Sequence, residues 1–227
     1  MIMENGRLDI VPTPIGNLGD MTTRATEVLG NCDLILAEDT RTTGNLLRHL
    51  GIEKPLKSFH LHNEHKTVSA IVDALSSGLH YALCSDAGTP GISDPGFLLV
   101  RASVEAGVEV SCLPGATAFV PALVVSGIPC DRFVFEGFLP HKKGRQKRLQ
   151  SLIQESKTIV LYESPHRVIK LLQELVGYEC GNRKIAVCRE LTKIHEEVIR
   201  GTVEDALDHF TEKSPKGEFV IVLEGLS

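Results

Sequence analysis

The sequence predicts an α/β protein of two domains, 1–117 and 118–227, and three observations carry that expectation. Short apolar runs of strand length alternate with stretches of helical period, the pattern left by βαβ units. Two of these runs, Tyr81–Leu83 and Val108–Cys112, end in glycine- and proline-rich loops at 84–96 and 113–119. Open α/β sheets bind ligands at the carboxyl ends of their strands, so such loops read as binding loops. A second series of strands opens at Phe133–Phe135, behind Gly127 and Pro129, which places the boundary near 115–130.

In the first domain, Leu8–Val11 is the opening strand, and Pro12–Asp20 is a loop without the spacing of a dinucleotide fingerprint. Thr22–Gly30 reads as a helix capped by Asp20 or Thr22 and stopped by Gly30. Leu34–Ala37 is a buried strand running into Glu38, Asp39 and Arg41. Those charges either meet a ligand or mark a helix start, with Asp39 or Thr40 as cap and Glu38 exposed. Leu56–Phe59 is the next strand, Asn63 caps a helix over 64–77, and the final helix and strand are Phe97–Ala106 and Val108–Cys112. His60, His62 and His65 lack metal-ligand spacing, so no metal is expected.

In the second domain a helix follows Thr117 and closes at Gly127. Five of the seven residues 142–148 are Lys or Arg (Lys142, Lys143, Arg145, Lys147, Arg148), in a chain of net charge −5. This is either a polyanion contact or a solvated helix start; cations in a first helical turn oppose the helix dipole, which favours the former. Thr158–Tyr162 is a strand followed by a helix with Ser164 as cap and Pro165 at its first position. Strands at 184–188, 198–201 and 219–223 and a helix at 203–210 complete the chain. The six cysteines form no Cys-x-x-Cys pair and read as reduced core residues. With no signal-peptide core and no apolar run of about 20 residues, the sequence reads as soluble and cytoplasmic.

Seven ordered motifs, at 12–20, 37–41, 62–64, 85–96, 135–140, 162–167 and 189–193, resemble the ribosomal small-subunit RNA 2′-O-methyltransferase I family of the tetrapyrrole-methylase class. The resemblance implies two α/β domains with S-adenosylmethionine in the cleft between them, usually a homodimer. It further implies methylation of a ribose 2′-hydroxyl on a cytidine in the decoding centre of 16S rRNA. By similarity Pro12, Asp86, Ala87, Gly88, Thr89, Thr117, Ala118, Tyr162 and Leu191 hold the donor. Leu61 stands where the family usually has Glu, and the small helical C-terminal domain of many members does not follow Ser227.

Methyl transfer to a hydroxyl needs alignment and a group that takes its proton or steadies the oxyanion. Glu38, Asp39, Glu163 and Glu190 are candidate bases, with His166 and Arg189 beside them. Arg41, Arg167 and Lys193 join the basic segment as candidate RNA contacts. The alternatives are a tetrapyrrole C-methyltransferase, which shares fold and donor, and a non-catalytic RNA-binding factor.

Overall fold

The computed structural model describes residues 6–226. The chain divides into two compact units, Met1–Thr117 and Ala118–Ser227. Among the described residues no helix is long and apolar enough to cross a membrane.

The first unit is a five-stranded parallel sheet in the order β3-β2-β4-β1-β5, built from β1 (Arg7–Ile10), β2 (Leu34–Ala37), β3 (Leu56–Ser58), β4 (His80–Cys84) and β5 (Glu109–Cys112). Its helices are α1 (Thr23–Asn31), α2 (Thr40–Leu50), α3 (Glu64–Ser76) and α4 (Phe97–Glu105). Strand side chains alternate between two cores. Leu8, Ile10, Leu36 and Leu83 pack with Ile71 and Leu75 of α3 and Leu99 of α4. Val11, Ile35, Ala82 and Cys84 pack with Leu29 of α1 and Leu47 of α2. Truncating one of these fully buried leucines to Ala costs about 2–5 kcal/mol, transfer and cavity terms together.

The second unit has α5 (Phe119–Ser126), α6 (Arg145–Leu152), α7 (Val168–Gly177) and α8 (Val203–Glu212) around a mixed sheet in the order β6-β7-β10-β8-β9. Its strands are β6 (Phe133–Phe138), β7 (Thr158–Glu163), β8 (Lys184–Arg189), β9 (Glu197–Thr202) and β10 (Phe219–Leu223). Only β6 and β7 pair in parallel; β10 runs antiparallel to β7 and β8, and β9 antiparallel to β8. Ile159, Leu161, Ile185, Val187, Ile221 and Leu223 point to the core shared with α6, α7 and α8.

Several local expectations need correction. Gly30 lies inside α1, which runs on to Asn31 under the Thr22 cap. Asn63 holds the N-cap position of α3, but its side chain makes no capping bond: it accepts from the His60 N–H at 2.8 Å and donates to Ser58 O at 3.0 Å. Pro165 lies in a turn, and α7 begins three residues later at Val168. Four cysteines are buried, whereas Cys112 and Cys130 are exposed.

Candidate active site

In the first unit, β1 and β4 are neighbours whose chains leave in opposite directions, β1 toward β2 and β4 toward β5. A switch of this kind leaves a crevice at the strand ends. Thr13 spans it: its N–H donates to Gly88 O, its carbonyl accepts from the Gly88 N–H, both at 2.9 Å, and its hydroxyl donates to Ser85 O at 3.2 Å. Gly88 holds φ +80°, which favours glycine. The Thr89 hydroxyl donates to Ala116 O at 2.9 Å, tying in the loop after β5. Gly115 approaches Pro12 so closely that a Cβ would come within 2.6 Å of the proline Cβ. Pro12, Asp86–Thr89 and Thr117 thus meet from three distant stretches. Thr13 and Ser85, which fasten them, lie inside the 12–20 and 85–96 motifs but are not among the expected site residues.

Thr117 Oγ1 is buried without a hydrogen-bond partner among the described residues. An orphaned hydroxyl next to Ala116, on the loop tied to Thr89 and packed on Pro12, fits a ligand rich in hydrogen-bonding groups such as S-adenosylmethionine.

Four carboxylates gather at the ends of β2 and β4. Asp39 caps α2, accepting from the Arg41 N–H at 2.8 Å and pairing with its guanidinium at 2.6 Å; hydrogen bonds from Arg41 hold it at about 2. The helix-start alternative therefore describes Asp39, while Glu38 is half-buried rather than exposed. Asp86 Oδ1 accepts from the Asp39 N–H at 3.1 Å, and the Asp86 N–H donates to Glu38 Oε2 at 3.4 Å. Desolvation raises Glu38, helped by the Asp86 charge. Desolvation, then the charges of Glu38 and Asp86, lift Asp94 to about 7 against a hydrogen bond with Ser85. Arg41 is largely exposed. No group of three or more His, Cys, Asp or Glu that could hold a metal occurs among the described residues.

The second unit treats its candidates differently. Glu163 is fully buried, paired with Arg145 at 3.3 Å and Arg167 at 2.9 Å, and accepts from the Ser164 N–H at 2.8 Å. Two guanidinium groups enclose it, and its side chain has no exposed surface. Arg145, 4% exposed, also holds Glu174 at 2.9 Å, so it leaves the basic patch for the interior. It shares a buried helix face with Leu149 and Leu152, a spacing that was readable in advance. Arg167 is turned inward with it, and Arg148 is engaged by Glu136. Lys142, Lys143 and Lys147 remain exposed, as does His166.

Arg189 donates to Lys216 O at 2.8 Å and pairs with Glu197 at 2.9 Å. Glu190 faces Lys193 at 2.9 Å; desolvation would raise its carboxyl, but bonds from Lys193 and the Glu218 N–H outweigh it and hold it low. Glu190 and Thr192 adopt left-handed φ of 52° and 66°, Leu191 is buried between them, and Thr192 Oγ1 is buried without a partner among the described residues. Strain of this kind collects at ligand loops. Tyr162 stands edge-on to Phe135 and Phe138, with centroids at 5.1 and 5.5 Å.

Residues 7–207 match the family model of tetrapyrrole (corrin/porphyrin) methylases. The chain is 54% identical over 221 residues to "Ribosomal RNA small subunit methyltransferase I" of Synechocystis sp., covering 97% of this chain and 79% of that protein. It is 47% identical to the protein of that name from Thermotoga maritima, covering 97% and 99%. Solved structures of similar fold include uroporphyrin-III-C-methyltransferase from Thermus thermophilus (TM-score 0.65, 21% identity, 96% and 94% covered) and diphthine synthase (TM-score 0.74, 13% identity, 97% and 90% covered). The chain belongs to the ribosomal RNA small subunit methyltransferase I family, within the tetrapyrrole methylases.

Proposed function

We propose that this protein is an S-adenosylmethionine-dependent methyltransferase of small-subunit ribosomal RNA, acting on the 2′-hydroxyl of a cytidine in the decoding centre. The observation that carries the reading is the fastened cradle of Pro12, Asp86–Thr89 and Thr117, in a chain nearly half identical to proteins of that name. When bound, S-adenosylmethionine supplies an electrophilic methyl group on a cationic sulfur. The carboxylate of Asp86 receives the donor's ammonium, and the Thr117 hydroxyl fills its vacant bond on the same ligand. The family resemblance also assigns Ala118, Tyr162 and Leu191 to the donor.

Asp94, which the earlier candidate bases do not include, sits in the loop after β4, hydrogen-bonded to Ser85 and in the carboxylate cluster of Glu38 and Asp86; with its carboxyl raised to about 7, it is the group to which we assign the hydroxyl proton. Glu190, held low by Lys193, acts instead as a positioning group. Lys142, Lys143 and Lys147, with Arg41 and Lys193, attract the RNA backbone. The family resemblance supports a cytoplasmic homodimer, which light scattering checks.

The test is incubation of the protein with labelled donor and small subunits lacking the modification. Label on a single ribose is expected; label transferred to a porphyrinogen instead, or to nothing, would refute the reading. Asp86→Ala should weaken donor binding in calorimetry, and unchanged affinity would remove Asp86 from the site.

A further inference from the structure

A cavity opens beside the cradle, at the carboxyl ends of β1, β2 and β4, on the face carrying α2. Its volume is about 230 Å³. That lies below the roughly 300–1,000 Å³ that enclose drug-sized ligands, so it is too small for a whole methyl donor but large enough for a flat heterocycle. Pro14, Leu18 and Leu46 form apolar walls, and Thr42, Asn45 and His49 form a polar rim.

Two features mark it as a ligand site. Thr43 lines it, 2% exposed, and Thr43 Oγ1 is buried with no hydrogen-bond partner among the described residues. A buried hydroxyl left unsatisfied is costly, and such groups are rare in folded proteins. Asn45 Oδ1 accepts from the Arg48 guanidinium at 2.9 Å, which orients the amide so that its NH₂ is the group left to donate. The walls hold no Lys or Arg, and Asp86 stands at the edge, so a phosphate is disfavoured. Apolar faces with hydrogen-bonding groups at the rim are what an unstacked base requires. Because Ser85 and Asp86 belong to both this cavity and the donor loop, its occupant lies next to the donor.

We propose that this cavity receives one splayed-out nucleobase of the RNA substrate, with Asn45, His49 and Thr43 Oγ1 hydrogen-bonding its edge. The inference rests on the RNA-methyltransferase reading above and adds the site that places the acceptor nucleotide.

The experiment compares wild type with Asn45→Ala, His49→Ala and Thr43→Val in three measurements: KM and equilibrium affinity for unmodified small subunits, donor affinity by calorimetry, and thermal stability. Asn45→Ala and His49→Ala should each weaken subunit affinity and raise KM by about tenfold, the equivalent of one lost hydrogen bond, with donor affinity unchanged. Thr43→Val should raise KM while the melting temperature holds or rises, because it removes an unsatisfied buried hydroxyl. A raised melting temperature with unchanged KM would make Thr43 a purely structural residue and overturn its role. Unchanged subunit affinity in both rim variants, or a parallel fall in donor affinity, would overturn the base site itself. If wild type binds subunits but transfers no methyl group, the enzymatic reading fails alone, and the cavity is still judged by the affinities of the variants.

Discussion

Replacing Asp94 by Asn should make the protein more stable at alkaline pH and leave it nearly unchanged in acid. The carboxyl ionises at 3.8 in the unfolded chain and at about 7 in the fold, where desolvation comes first and the charges of Glu38 and Asp86 follow. A carboxyl raised in the fold contributes stability that is fully present below 3.8 and lost as the pH rises through about 7. That interval of about 3 corresponds to a ceiling of about 4 kcal/mol. Asp94 is partly exposed, so solvent screening reduces the figure to about 2 kcal/mol. For a chain of this length, about 2 kcal/mol is a shift in melting temperature of roughly 4–8 °C. Melting of wild type and Asp94→Asn at about pH 4 and about pH 8.5 reads the effect as a difference of differences. An equal gap between the two proteins at both pH values would refute the account. The same substitution should abolish the acid limb of the pH–rate profile; a limb that persists unchanged would assign the proton to another group.

Three further outcomes follow from the geometry. Gly115→Ala sets a Cβ 2.6 Å from that of Pro12 and should push the loops apart, weakening donor affinity about tenfold at an overpacking cost of about 1–3 kcal/mol; calorimetry reads it, and wild-type affinity would contradict the close approach. Arg145→Met leaves Glu163 and Glu174 short of a buried partner and should destabilise the second unit by about 3–5 kcal/mol in denaturant melts, more than any surface lysine would. Neutralising Lys142, Lys143 and Lys147 together should lower the salt slope of RNA binding by about 2, at about 0.7 per cation for single strands, with donor affinity unchanged; an unaltered slope places the RNA elsewhere.

What the sequence made legible was set by how completely each strand is buried. The parallel strands of the first unit lie under helices on both faces, so they persist as apolar runs broken only where glycine and proline loops leave them. Those loops carry their own chemistry, and residues 12–20, 85–96 and 113–119 stand out before their contacts are known. Even there, β1 hides a carboxylate: Asp9 is fully buried, held by Arg7 at 2.9 Å and by His80 Nε2 at 2.7 Å, a partner 71 residues away.

The misreadings share a cause. A charge within a charged run looks solvated or functional, because the partner that neutralises it is distant in sequence. Arg145 read as a phosphate contact, but its carboxylates lie 18 and 29 residues further on. Glu163 read as a base because it ends a strand, yet two arginines enclose it there. Asp94, by contrast, is only one charge in the 84–96 loop when read in the chain; burial raises its carboxyl, and the charges of Glu38 and Asp86, which the fold brings beside it, raise it further against a hydrogen bond with Ser85. Carboxylates that the fold pairs with cations and carboxylates that it sets among like charges are therefore alike in the chain and are separated by what surrounds them. Cations surround Glu163, whereas burial, with the charges of Glu38 and Asp86 added, lifts the Asp94 carboxyl far above its ordinary range.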